Sequence, residues 1–210
     1  MAQKGRLSVG VSGGYINSNT FFTRNQFQKT ISINSVSPGL MIQHMSSKYA
    51  GLQISFQLAR KGIYISDSSY LYRRDIDYLE IPILTHFEIG KKKLKLIINL
   101  GPQIGFAYQS AESFSVPIDS IKRKGIVKLA AKDNATGVFQ FGVVGGLAFS
   151  YQISNFILQL EGRYYNSFTN VIAPGVYTNF NNQTIGGYFS VLYNIPLKEK
   201  IPVEGKKVSE

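Results

Sequence analysis

The 210-residue chain contains no cysteine, which excludes disulfides, thiolate metal sites and cysteine nucleophiles together. Only two histidines, His44 and His86, are present, too few for a histidine-built metal cluster, so neither metal nor cofactor is expected. Acidic residues are scarce: 12 Asp+Glu stand against 23 Lys+Arg, a formal charge of +11. No stretch is apolar throughout the roughly 20 residues of a membrane-crossing helix. The longest uncharged run, Asn134 to Leu160, is interrupted by Gln140, Gly142, Gly145, Gly146, Ser150, Gln152, Ser154 and Asn155, and its apolar residues fall at every second position. A disordered chain is excluded, because 44% of the residues are hydrophobic.

What is present is alternation. Leu52, Ile54, Phe56 and Leu58 are separated by Gln53, Ser55 and Gln57. Leu79, Ile81, Ile83 and Phe87 interleave with Glu80, Pro82 and His86. Phe139, Phe141, Val143, Leu147 and Phe149 form a third such row, and Leu158, Leu160 and Tyr164 a fourth. Successive strand side chains point to opposite faces, so each segment has one oily face and one polar or small face. Eight segments follow this pattern, approximately 6–15, 36–46, 50–63, 74–89, 94–109, 135–151, 156–167 and 184–195. Short connections (46–49, 90–93, 152–155) alternate with long ones (16–35, 64–73, 110–134, 168–183). The expected fold is all-β: an eight-stranded antiparallel up-and-down transmembrane β-barrel with short periplasmic turns and longer extracellular loops. Residues 1–195 form the barrel in this reading, and 196–210 a flexible periplasmic C-terminal tail.

Alternation also fits a soluble lipocalin-like ligand-binding barrel with its oil inside. The polar face favours the membrane. It carries Gln53, Ser55, Gln57, Asn99, Gln103, Gln140, Gln159 and Ser190 with glycine and alanine between, whereas a water-facing surface is rich in Lys and Glu. Aromatic residues gather at the expected strand ends, with Tyr15, Tyr108 and Tyr164 at the long-loop rim. Phe87, Tyr151, Phe156 and Tyr193 mark the short-turn rim. Eight strands leave an interior just filled by side chains, so no diffusion pore is expected.

The stretch Tyr78-Leu79-Glu80-Ile81-Pro82-Ile83-Leu84, followed by Leu100-Gly101-Pro102-Gln103-Ile104-Gly105, resembles the PorT-type outer-membrane β-barrel proteins of Bacteroidetes. Leu52 to Gly62 and Gly162-Arg163-Tyr164 resemble two further strands of that family, with Gln57 standing where glutamate is more usual. The resemblance covers nearly the whole chain, and its motifs mark the barrel rather than an activity. It implies a location in the bacterial outer membrane and, after the name-giving member, an accessory part in protein export across that membrane. Export requires a signal peptide, which Met1 to Gly5 does not provide; Ala2-Gln3 reads as a junction left after cleavage.

Closing the fourth and fifth segments across Gly90–Lys93 puts Glu88 opposite Lys95, an expected cross-strand ion pair, and Glu80 opposite Gln103. The 152–155 turn places Glu161 beside Gly146 and Arg163 beside Val144. Gln57, Glu80, Gln103, Gln140, Glu161 and Arg163 are therefore expected to form an interior polar network, since an isolated buried charge is costly. The glycine pairs Gly13-Gly14, Gly145-Gly146 and Gly186-Gly187 are expected to let strands bend, and Pro82 and Pro102 to sit at bulges. No catalytic set is nominated, because neither histidine has an evident serine or carboxylate partner; an outer-membrane lipid hydrolase is the enzyme alternative. Loop 110–134 holds Lys122, Arg123, Lys124, Lys128 and Lys132, a solvated loop able to meet outer-membrane lipid, lipopolysaccharide phosphate or a protein of an envelope or secretion complex. No nucleic-acid partner is expected, because the basic residues cluster in connections and the tail.

Overall fold

The computed structural model describes residues 6–22, 31–66, 71–91, 93–115, 120–126, 139–170 and 180–195. They form β1 (Arg6–Phe22), β2 (Ile33–Met45), β3 (Ala50–Ser66), β4 (Leu71–Lys91), β5 (Leu94–Ser115), β6 (Ser120–Ile126), β7 (Phe139–Ile153), β8 (Phe156–Asn170) and β9 (Phe180–Ile195). All pairings are antiparallel. Eight strands close a barrel in the order β1-β2-β3-β4-β5-β7-β8-β9, with β9 returning to β1 from Leu7↔Ile195 to Phe22↔Phe180. Both ends of the described barrel thus lie at the short-turn rim. Residues 196–210 lie outside the described residues.

β6 is a ninth strand where a solvated loop was expected. β7 pairs with β5 only from Leu94 to Phe106, and β6 takes over the same edge from Gln109 to Ser115. The strands also run several residues further toward the long-loop rim than the apolar rows do. Above that row polar residues enter both strand faces (Asn17 and Ser18 of β1; Arg73, Arg74 and Asp75 of β4), and the backbone ladder continues through them.

The apolar rows face outward. Val36, Leu40, Leu147, Phe149, Leu160 and Ile185 are each at least 60% exposed, whereas their chain neighbours Ser37, Met41, Ala148, Gln159, Glu161 and Thr184 are buried in the lumen. The soluble lipocalin-like alternative fails on this orientation. The aromatic residues at both rims stand outward too, and Phe156 meets Tyr193 edge-on across β8 and β9 at 5.4 Å.

Two details of the register differ from expectation. The β7–β8 turn is Ser154-Asn155 alone, closed by Ile153↔Phe156, with a positive φ of 53° at Ser154. Gln152 and Ile153 of β7 join the ladder, which a four-residue loop over 152–155 would not allow. Glu161 therefore lies opposite Ala148, and Arg163 opposite Gly146. β4 and β5 likewise pair as far as Lys91↔Leu94, so Glu88 opposes Ile97, Lys95 opposes Gly90, and Glu80 opposes Gly105. The prolines are not at bulges. The register shift lies at Asp77/Tyr78, while Pro82 and Pro102 sit in register opposite Gln103 and Val143. The inward glycine of each pair serves packing. A Cβ on Gly14 would lie 2.4 Å from the Tyr188 ring, and one on Gly146 would lie 2.9 Å from Glu161 Oε1.

Candidate functional site: the filled lumen

Inward parity collects polar side chains from every wall into one axis. At the short-turn end, Glu88 of β4 accepts from Arg6 of β1 and Lys95 of β5, and its Oε1 is 3.3 Å from His86 Nε2. Glu88 and Lys95 thus meet diagonally, not as directly opposed residues. His86 Nδ1 lies 2.9 Å from Asn99 Oδ1, and Asn99 Nδ2 donates to Glu161 Oε1 at 2.7 Å. Because that donation fixes the amide orientation, both ring nitrogens of His86 face acceptor oxygens.

Glu161 is the hub of the middle layer. Its second oxygen accepts from Arg163 Nη2 at 2.7 Å and Gln159 Nε2 at 3.1 Å, and Arg163 Nη1 donates to Gln57 at 3.2 Å. Gln43 Nε2 links Gln159 and Gln53 at 2.8 and 2.9 Å. A carboxylate removed from water is tolerable here because three groups, Asn99, Arg163 and Gln159, replace its hydration. Toward the long-loop end, Lys61 Nζ pairs with Glu80 Oε1 at 2.5 Å and lies 4.0 Å above the Tyr165 ring, while the Arg163 guanidinium lies 4.4 Å from the Tyr188 ring centre.

Of the six residues expected in one network, Gln57, Glu161 and Arg163 are joined by these bonds. Glu80 pairs with Lys61 instead. Gln103 is buried between Pro82 and Gly142, and Gln140 lies by Tyr78 across Gly105, both apart from the Glu161 hub. Sequence reasoning missed Lys61, Gln43, Tyr165 and Tyr188 as partners. The signal for Lys61 was its parity with Gln53 and Gln57, and for Tyr188 the glycine at its facing position, Gly14; Tyr165 faces Val144 and Thr184 and had no such signal. The lumen also carries apolar layers that the amide-rich composition did not announce: Met41, Ile157 and Leu192 meet in one, and Leu84, Val144 and Tyr165 in another.

Each histidine has a neighbour that sequence reasoning did not nominate. His86 has Glu88, and His44 Nδ1 lies 3.5 Å from Ser46 Oγ at an exposed turn, the outer limit of a hydrogen bond. Lys122, Arg123 and Lys124 lie on β6 opposite Ser113, Glu112 and Ala111, and Lys128 and Lys132 lie outside the described residues.

A closed β-barrel that turns hydrocarbon-like side chains outward and satisfies its charges within is an integral membrane barrel of the outer-membrane type. Residues 1–173 match the family model "Outer membrane protein beta-barrel domain", and the chain belongs to that family. It resides in the bacterial outer membrane, with its short turns periplasmic and its long loops extracellular. Among solved structures it is similar to OprG from Pseudomonas aeruginosa (10% identity, 92% of this chain and 97% of that one covered, TM-score 0.59). Neisserial surface protein A (10% identity, 90% and 99% covered, TM-score 0.48) and Ail of Yersinia pestis (13%, 89% and 98%, TM-score 0.44) also match. The OprG likeness carries the fold. No curated protein matches the chain.

Proposed function

We propose that this protein is a non-conducting, non-catalytic outer-membrane scaffold that works through its rims, as a partner-binding component of an envelope assembly accessory to protein export. The observation that carries this reading is the lumen, which holds buried ion pairs together with apolar clusters, a filling that supports a barrel without an ion path. Activity then belongs to surfaces at the ends of the barrel. The PorT-type resemblance of residues 78–84 and 100–105 supports the export assignment. β6 supports a docking role at the extracellular rim: it extends the β5 edge beyond the membrane wall and carries Lys122, Arg123 and Lys124, suited to lipopolysaccharide phosphate or an acidic protein surface.

The test pairs two measurements. Reconstituted in planar bilayers, the barrel is expected to show no stepwise conductance; reproducible open channels would end the scaffold reading. In native membranes, a photo-crosslinking residue at Arg123 is expected to trap one discrete envelope partner. A crosslink pattern containing only lipid would remove the partner-binding role.

A further inference from the structure

The wall between β2 and β3 parts above Gly39. Their ladder runs from Met45↔Gly51 to Gly39↔Gln57 and stops where Pro38 has no N–H to donate. Contact resumes with Ser35 Oγ donating to Arg60 O at 2.8 Å and Ile31 N to Tyr64 O at 2.9 Å. A cleft of about 340 Å³ occupies the gap. Two-thirds of its lining is the two loosened edges, Asn34, Ser35 and Val36 of β2 with Leu58, Ala59 and Arg60 of β3. Ala59 belongs to the lumen face, so the cleft reaches into the wall itself. Strand edges taken off a ladder need other hydrogen-bond partners.

The outer side of the cleft is charged in pairs. Arg60 binds Asp77 in a bidentate fork at 2.6 and 3.1 Å, beside the half-exposed ring of Tyr108. Arg73, which also lines the cleft, holds Asp75 at 3.0 and 3.1 Å. Guanidinium and carboxylate planes next to an aromatic ring offer donors, acceptors and a flat face together, the requirements of a hydroxylated sugar ring, and the arginines can also meet phosphate. The level is fixed by Val36, which pairs with Tyr15 of the extracellular aromatic rim. Below it, Leu40 and Phe56 continue the outward apolar wall, opposite each other in register.

We propose that this cleft seats the headgroup of a phosphorylated glycolipid of the outer leaflet, with its phosphate against Arg60 and Arg73 and its sugar hydroxyls donating to Asp77. The acyl chains lie along Leu40 and Phe56. The volume suits a small-molecule headgroup rather than an inserted peptide strand. The site is separate from β6, and its failure would leave the scaffold reading untouched.

Because the chain has no tryptophan, Leu58→Trp gives a single fluorescent reporter at the mouth of the cleft. Detergent-solubilised protein carrying it is titrated with purified lipid A, and separately with phosphatidylethanolamine and inorganic phosphate. The expected result is a saturable emission change with lipid A alone, weakened tenfold or more by adding Arg60→Met with Asp77→Asn. That double change removes the ion pair without stranding a charge. Heat-modifiable mobility on gels verifies that each variant keeps its barrel. Independently of the reporter, mass spectrometry of wild-type protein extracted from native membranes is expected to find a glycolipid retained, at least tenfold less in the double variant. A non-saturating response, an equal response in the double variant, saturation by phosphate or phosphatidylethanolamine, or equal retention would each overturn the proposal.

Discussion

Glu161 is 2% exposed and meets Arg163 and Gln159 of its own strand β8 and Asn99 of β5, so its charge is held by these contacts rather than by solvent. Arg163→Met keeps much of the volume but removes the countercharge from this carboxylate. The expected cost is about 3–5 kcal/mol, the usual penalty for breaking a buried pair from one side. Urea unfolding of the reconstituted barrel measures it. Adding Glu161→Gln should recover most of the loss, because no charge is left alone and the amide oxygen still accepts from one of the two donors, Asn99 or Gln159; a double variant as unstable as the single would show that packing against Tyr188, not charge, is what Arg163 supplies. At this scale the sequence was legible in one respect. Period-two alternation placed Gln57, Glu80, Gln103, Gln140, Glu161 and Arg163 on one face. Which of them touch was not legible, since strands far apart in the chain meet only across the lumen, as Arg163 of β8 meets Gln57 of β3.

Elements depend on their turns. The 152–155 segment reads as a four-residue connection because Gln152 and Ser154 are polar, yet Ile153 and Gln152 stay in the ladder and only Ser154-Asn155 turn. That two-residue difference moves every partner along β7 and β8 while leaving each side chain on its expected face. The tight turn requires a left-handed φ at Ser154, the position at which a type II′ turn takes glycine. Ser154→Gly should therefore stabilise the barrel by about 1 kcal/mol, read as a higher urea midpoint at unchanged slope. Ser154→Val should lower the midpoint. An unchanged midpoint for both would mean that the turn contributes nothing to barrel stability. β6 escaped sequence reasoning for a related reason: Ser120 to Ile126 shows no hydrophobic alternation, because a hairpin beyond the membrane has no oily face to declare it.

The molecule as a whole rests on an inversion of the soluble-protein rule, with oil outside and charge inside. This was the most legible feature in the sequence, because amides, glycines and serines on one parity and Leu, Ile, Val and Phe on the other persist through segments from 50 to 195. Closure, by contrast, came from counting strands and from resemblance, since no local residue announces that β9 will find β1. The inversion makes a depth-dependent prediction. Leu147 is 60% exposed near the middle of β7, and its register partner Gly162 leaves open space beside it. Leu147→Arg should lower stability in lipid bilayers by about 2–4 kcal/mol, the cost of a guanidinium at the hydrocarbon midplane, with little loss in detergent micelles that can rearrange around it. Ile153→Arg, at the short-turn rim of the same strand, should cost no more than about 1 kcal/mol, because the side chain reaches the headgroups. Urea unfolding in vesicles compares the two directly. Equal penalties at both positions would mean that the face bearing Leu147 meets water or protein rather than lipid.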